Sequence, residues 1–178
     1  MRFPFVVLAA AAAISLSGCS EMVSLNPYVV DGKSITDPQF AGTWRASGNK
    51  DADRFVIDED GGTYTIHFLN GKESFAFEGT LFRVGDAELL DLVPKNGDDA
   101  FSVPTHTLVR VWPGAGTLQW TFLDSDWLRE HARNEMATQK SGDRTLLLND
   151  TETVARFVAL YAGDSKAYKE TQVLTRVP

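Results

Sequence analysis

Cysteine is almost absent: Cys19 is the only one in 178 residues, so neither an internal disulfide nor a Cys-x-x-Cys redox or zinc motif can form. Basic side chains are outnumbered, with 17 Lys and Arg against 24 Asp and Glu and a formal net charge of −7. Such a surface repels nucleic acid, which is therefore not an expected partner. Long apolar runs are missing beyond the first 20 residues. The run inside them, Phe3 to Ile14, is shorter than the roughly 20 residues of a spanning helix. Catalytic signatures are missing too: there is no Gly-x-Ser-x-Gly elbow, no His-Glu-x-x-His and no phosphate-cradling glycine loop. Asp58 to Gly62 imitates the start of a calcium loop, but the twelfth position is Leu69, where a bidentate Glu is needed. It reads as a turn. The expectation is a noncatalytic protein with no cofactor and no metal.

What is present at the start has the three zones of an export signal: Arg2, the alanine-rich apolar stretch to Ile14, and Leu16-Ser17-Gly18-Cys19. That quartet resembles the bacterial lipobox. The resemblance implies cleavage before Cys19, acylation of its thiol, and a membrane partner held through the lipid. Two or three acyl chains make a stable anchor, since each buried methylene contributes about 0.8 kcal/mol. Ser20 stands where the inner-membrane retention signal would be Asp, so the implied location is the periplasmic face of the outer membrane. Removing residues 1–18 takes away Arg2 and no acid, so the net charge of −7 becomes −8. Residues 19–38 carry Asn26-Pro27, Asp31-Gly32 and Asp37-Pro38 without periodicity and read as a flexible tether. Residues 39–178 are long enough for one domain with its own core.

That domain reads as short strands and tight turns. Phe55 to Ile57, Tyr64 to Phe68 and Phe75 to Phe77 are separated by Asp60-Gly61 and Asn70-Gly71, dipeptides suited to two-residue hairpins. The meander continues through Leu89 to Val93, Leu108 to Trp112 and Leu118 to Phe122. Tyr64, Ile66 and Phe68 alternate onto one face, as do Phe75, Phe77 and Leu81, and Leu118, Trp120 and Phe122. The fold class is mainly β. The favoured architecture is an up-and-down antiparallel barrel of about eight strands, because closure removes sticky sheet edges. A two-sheet sandwich is the rival. One helix is expected from Ser125 to about Glu135, opened by Asp124 and Asp126. Another is expected after Asn149, with Glu152 completing a capping box, Val154, Phe157, Val158 and Tyr161 as its apolar stripe, and Gly163 at its end. Leu146 to Leu148 and Val173 to Val177 are candidate late strands.

Gly42-Thr43-Trp44 resembles the Gly-x-Trp motif that opens the barrel of lipocalins and their calycin relatives, where the Trp packs across one barrel end. Arg176 matches that family's late Arg loosely, and its Thr-Asp-Tyr-like turn has no clear counterpart here. The segments 77–94, 104–111 and 122–128 are similar to small exported bacterial proteins without an assigned activity. What the lipocalin resemblance implies is a barrel binding a small apolar or amphiphilic molecule; the alternative, from a different class, is a solid barrel whose surface recognises an envelope protein. His106, Leu108, Arg110 and Trp112 share one strand face, and Thr105, Thr107, Val109 and Val111 the other; either is compatible with the interior. If the first faces in, His106 and Arg110, with Arg83 in phase with Leu81, meet an anionic ligand such as a fatty-acid carboxylate. If not, the arginines snorkel to the rim or pair with Glu78 or Asp91. Trp44 and Trp120 complete the ligand-lining candidates, although a barrel of about eight strands can equally be filled by its own side chains. His67 is expected to face solvent, and His131 near Asp126 and Glu130 is read as a helix-surface residue, not a metal ligand.

Overall fold

The computed structural model describes residues 22–46, 53–71, 73–95, 103–168 and 170–178. Cys19 and the leader expected at 1–18 lie outside the described residues. In chain order the elements are β1 (Met22–Ser24), β2 (Gly42–Ala46), β3 (Arg54–Asp60), β4 (Thr63–Asn70), β5 (Glu73–Val84), β6 (Ala87–Pro94), β7 (Thr107–Pro113) and β8 (Thr117–Phe122). There follow α1 (Ser125–Ala132), β9 (Thr138–Ser141), β10 (Arg144–Leu147), α2 (Thr151–Tyr161), a 3-10 turn at Ser165–Ala167 and β11 (Gln172–Arg176).

Strands β2 to β8 follow one another around a closed barrel, and β11 completes it by pairing antiparallel with both β8 and β2. The sandwich is thereby excluded. Tight turns set the register. Asp60 pairs with Thr63 across Gly61-Gly62, whose φ of 60° and 93° most side chains resist. Alternation then divides each strand. Trp44, Ile57, Tyr64, Ile66, Leu81, Leu90, Val109, Val111, Leu118 and Leu174 point inward and form the barrel core with Phe40.

A second core lies outside the wall. Phe82, Leu89 and Leu108 on the outer faces of β5, β6 and β7 cluster with Met22 and Tyr28, with Trp127 and Leu128 of α1, and with Val154, Phe157 and Val158 of α2. Each such side chain contributes roughly 1.5–3 kcal/mol by leaving water. The stripe expected on α2 is thus its docking face. Its cap is one residue later than expected: Asp150, not Asn149, accepts from the Thr153 N–H at 2.8 Å. Asn149 instead ties the neighbouring loops, its Oδ1 accepting from the Ala137 N–H at 2.7 Å and its backbone oxygen from Asn26 Nδ2 at 2.8 Å. α1 is capped by Asp124, as the sequence suggests, and ends at Ala132, short of Glu135.

The stretch read as a tether is folded from Met22 onward. β1 is buried throughout and pairs parallel with β10, which pairs with β9 in a small side sheet. Ser24 also exchanges backbone hydrogen bonds with His106. Residues 27–34 then cross the outer face of β6 and β5 as a strap: the buried Asp91 Oδ2 accepts from the Tyr28 N–H at 2.9 Å, and the Ile35 N–H donates to the Leu81 oxygen at 2.8 Å. The absence of periodicity here reflects a segment held by long-range hydrogen bonds, not a loose one.

Candidate functional site

The two barrel ends differ. The turns after β3, β5 and β7 lie at one end, and the chain between the strap and β2 closes it: Phe40 packs edge-on against Tyr64 at 4.9 Å, and the Tyr64 hydroxyl accepts from the Asp37 N–H at 2.8 Å. Trp44 fills the space behind them, wholly buried, its Nε1 donating to the Phe40 oxygen at 3.0 Å. The Arg176 guanidinium lies over the Trp44 ring at 4.3 Å and donates to the backbone oxygens of Ala41 (3.0 Å) and Gln39 (2.6 Å). Gly42 is a steric requirement of that arrangement, since a Cβ there would stand 2.4 Å from Arg176 Nη1. Gly42, Trp44 and Arg176 therefore form a plug, and Trp44 lines no open cavity.

The opposite end carries the β4–β5 turn and the termini of β2, β6 and β8. Here a continuous aromatic run crosses the barrel: Phe122 to Trp120 (5.0 Å), Trp120 to Phe55 (5.9 Å), Phe55 to Phe68 (4.9 Å) and Phe68 to Phe75 (6.3 Å). Phe75 and Phe122, at its two extremes, are each 47% exposed. Trp120 Nε1 is buried with no hydrogen-bond partner, a donor left unsatisfied at some cost. Trp120, expected at the ligand site, thus stands in a half-open aromatic mouth with Phe55 and Phe68, which sequence reasoning assigned only to strands.

The three candidate cations are not in the barrel. Val109 and Val111 take the inward positions of β7, so His106 and Arg110 face out. The reason is that both faces of β7 are covered, the outer one by helices, and alternation alone does not choose between two buried faces. Arg83 is exposed and pairs with Glu88, which raises its pKa, at the β5–β6 turn. A carboxylate bound among these three inside the lumen is therefore ruled out. Arg110 sits outside between the Trp112 ring (4.8 Å) and the Tyr168 ring (5.2 Å), paired with neither Glu78 nor Asp91. Burial pushes Tyr168 up to about 12 against the opposing pull of Arg110. An unfolded tyrosine deprotonates near pH 10, so the unfolded chain releases the proton first and stability falls as pH rises from about 10 to 12. Chemical denaturation at about pH 9 and pH 11.5 is expected to show a loss of roughly 2 kcal/mol that Tyr168→Phe removes.

His106 has the most structured surroundings of the candidates. Its Nδ1 is 2.9 Å from Asp91 Oδ1, and Asp91 is only 3% exposed. It lines a depression of about 260 Å³ between the strap and the outer wall. His131 stacks on Trp127 at 3.9 Å with Nδ1 2.8 Å from the Trp127 oxygen. Among the described residues no group of three His, Cys, Asp or Glu is placed to hold a metal ion. No helix among them is long and apolar enough to cross a membrane. No family model matches the chain, and no curated protein or solved structure matches it either.

Proposed function

We propose that the protein is a noncatalytic envelope lipoprotein, acylated at Cys19 and held on the periplasmic face of the outer membrane, whose barrel binds a small apolar or amphiphilic molecule at its aromatic mouth. The leader and the Leu16-Ser17-Gly18-Cys19 quartet support the anchor. The ligand reading rests on one observation: the aromatic run ends in half-exposed rings, Phe122 beside Trp120 and Phe75 beyond Phe55 and Phe68, and the buried Trp120 Nε1 has no acceptor. An apolar body laid across the exposed rings would cover them, and an ester, hydroxyl or carboxylate oxygen entering as the rings part would satisfy the indole N–H. The plug of Trp44, Phe40 and Tyr64 restricts the ligand to the mouth half of the barrel.

Mass spectrometry of organic extracts from the purified protein is expected to reveal a co-purifying amphiphile. A fluorescent apolar probe is expected to bind at the mouth, quench or shift Trp120 emission, and lose about tenfold in affinity in Phe75→Ser/Phe122→Ser. Clean extracts together with probe binding indifferent to that pair would remove the ligand reading. Labelled palmitate is expected to enter the wild type and not Cys19→Ser. The packed half of the lumen favours a second reading, a solid barrel whose mouth receives an apolar side chain of an envelope protein. Crosslinking from position 122 in intact cells separates the two.

A further inference from the structure

Beneath the strap, the depression of about 260 Å³ is lined by acidic and apolar side chains and by no lysine or arginine. Its charged lining residues are the acids Asp31, Glu78 and Asp91, together with His106, and its apolar wall includes Val29 and Val93. The Asp91 carboxylate is an acceptor only, so the His106 nitrogen facing it, Nδ1, must carry the proton. The other carboxylate oxygen is already engaged by the Tyr28 N–H. A neutral His106 ring therefore has Nε2 as an acceptor, fixed in orientation by a buried group. An oriented imidazole acceptor, flanking carboxylates and a short apolar wall all ask for a donor with a positive charge. Among the described residues Lys95 reaches one of them, with Nζ 3.8 Å from Glu78 Oε2, and both side chains of that pair are about half exposed.

We propose that this depression is a second binding site, separate from the mouth, for a small protonated amine carrying a short apolar body. The ammonium would donate to His106 Nε2 and Glu78, and the body would lie on Val29 and Val93. A metal ion is the less fitting occupant, because Asp31, Glu78, Asp91 and His106, although they line the depression, are not placed so that three of them could hold one. Asp91 is a positioning residue: it touches His106 and the strap, and acts by setting which ring nitrogen accepts.

The test uses the full-length protein in detergent at about pH 8, with n-butylamine, n-butanol and butyrate as probes up to roughly tens of millimolar. Ring ¹⁵N and amide shifts of His106 and the strap are followed by NMR. Butylammonium is expected to move them in a saturable way, the alcohol at least about tenfold more weakly, and butyrate not at all. His106→Asn keeps a side-chain N–H for Asp91 and removes the second ring nitrogen; it is expected to weaken butylammonium at least about fivefold without lowering the melting temperature appreciably. Glu78→Gln, at an exposed side chain, is expected to do the same and keeps the test available if the histidine variant misfolds. Absence of saturable shifts with butylammonium overturns the proposal. So does equal response to the three probes, or unchanged affinity in Glu78→Gln.

Discussion

Replacing Trp44 by alanine is expected to cost the fold about 3–5 kcal/mol, the largest loss of any single side chain in the barrel. Three contributions coincide at that position. The ring is completely buried, its Nε1–H satisfies the Phe40 oxygen, and its face carries the Arg176 guanidinium. Truncation opens a cavity at the closed end, leaves a backbone oxygen unpaired, and takes away the surface on which a cation is held near two carbonyls. Urea denaturation followed by circular dichroism measures the effect. A loss below about 1 kcal/mol would mean that the strap collapses into the space and that the plug is not a stability element. Trp44→Phe separates the terms, since it fills most of the volume while removing the indole donor.

The second large effect is expected at Asp91. Asp91→Ala removes the acceptor for two groups at once, the Tyr28 N–H and His106 Nδ1, at a position only 3% exposed. Leaving buried donors unpaired costs about 1–3 kcal/mol each, so a total of roughly 2–4 kcal/mol is expected. The loss should be local in character. Amide hydrogen exchange at Ser24, Tyr28 and Ile35 is expected to accelerate far more than at Ile66 or Leu90 in the barrel core. Uniform acceleration would show that the strap and barrel unfold as one unit and that Asp91 is no separate latch.

The barrel was legible because its signals are local. The turn signal at Asp60-Gly61, one residue ahead of the observed Gly61-Gly62 turn, and alternation in Tyr64, Ile66 and Phe68 determine pairing and facing within a few residues of themselves. The strap and side sheet were not legible because their cause lies elsewhere in the chain. Met22 to Ser24 has no alternation to read, being buried on all three residues between β10 and His106. The same explanation covers the candidate site. On β7 both Val109 and Leu108 are buried, one in the barrel and one under the helices, so the residue pattern held no indication of which side His106 and Arg110 would take. Asn149 and Asp150 are adjacent and both able to cap, and only the contact of Asn149 with Ala137 and Asn26 assigns the cap to Asp150. The mouth was half visible: Trp120 was singled out, whereas Phe55 joins it only when β3 and β8 face each other across the closed barrel.

The burial of Met22 bears on how the body would sit in the envelope. Met22 is buried and its N–H lies 3.4 Å from Ser125 Oγ. Three residue steps separate it from Cys19, a reach of at most about 11 Å. On the reading proposed for that thiol, the acylated residue lies within that distance of the folded body. The protein would ride close to the headgroups with a restricted choice of tilt.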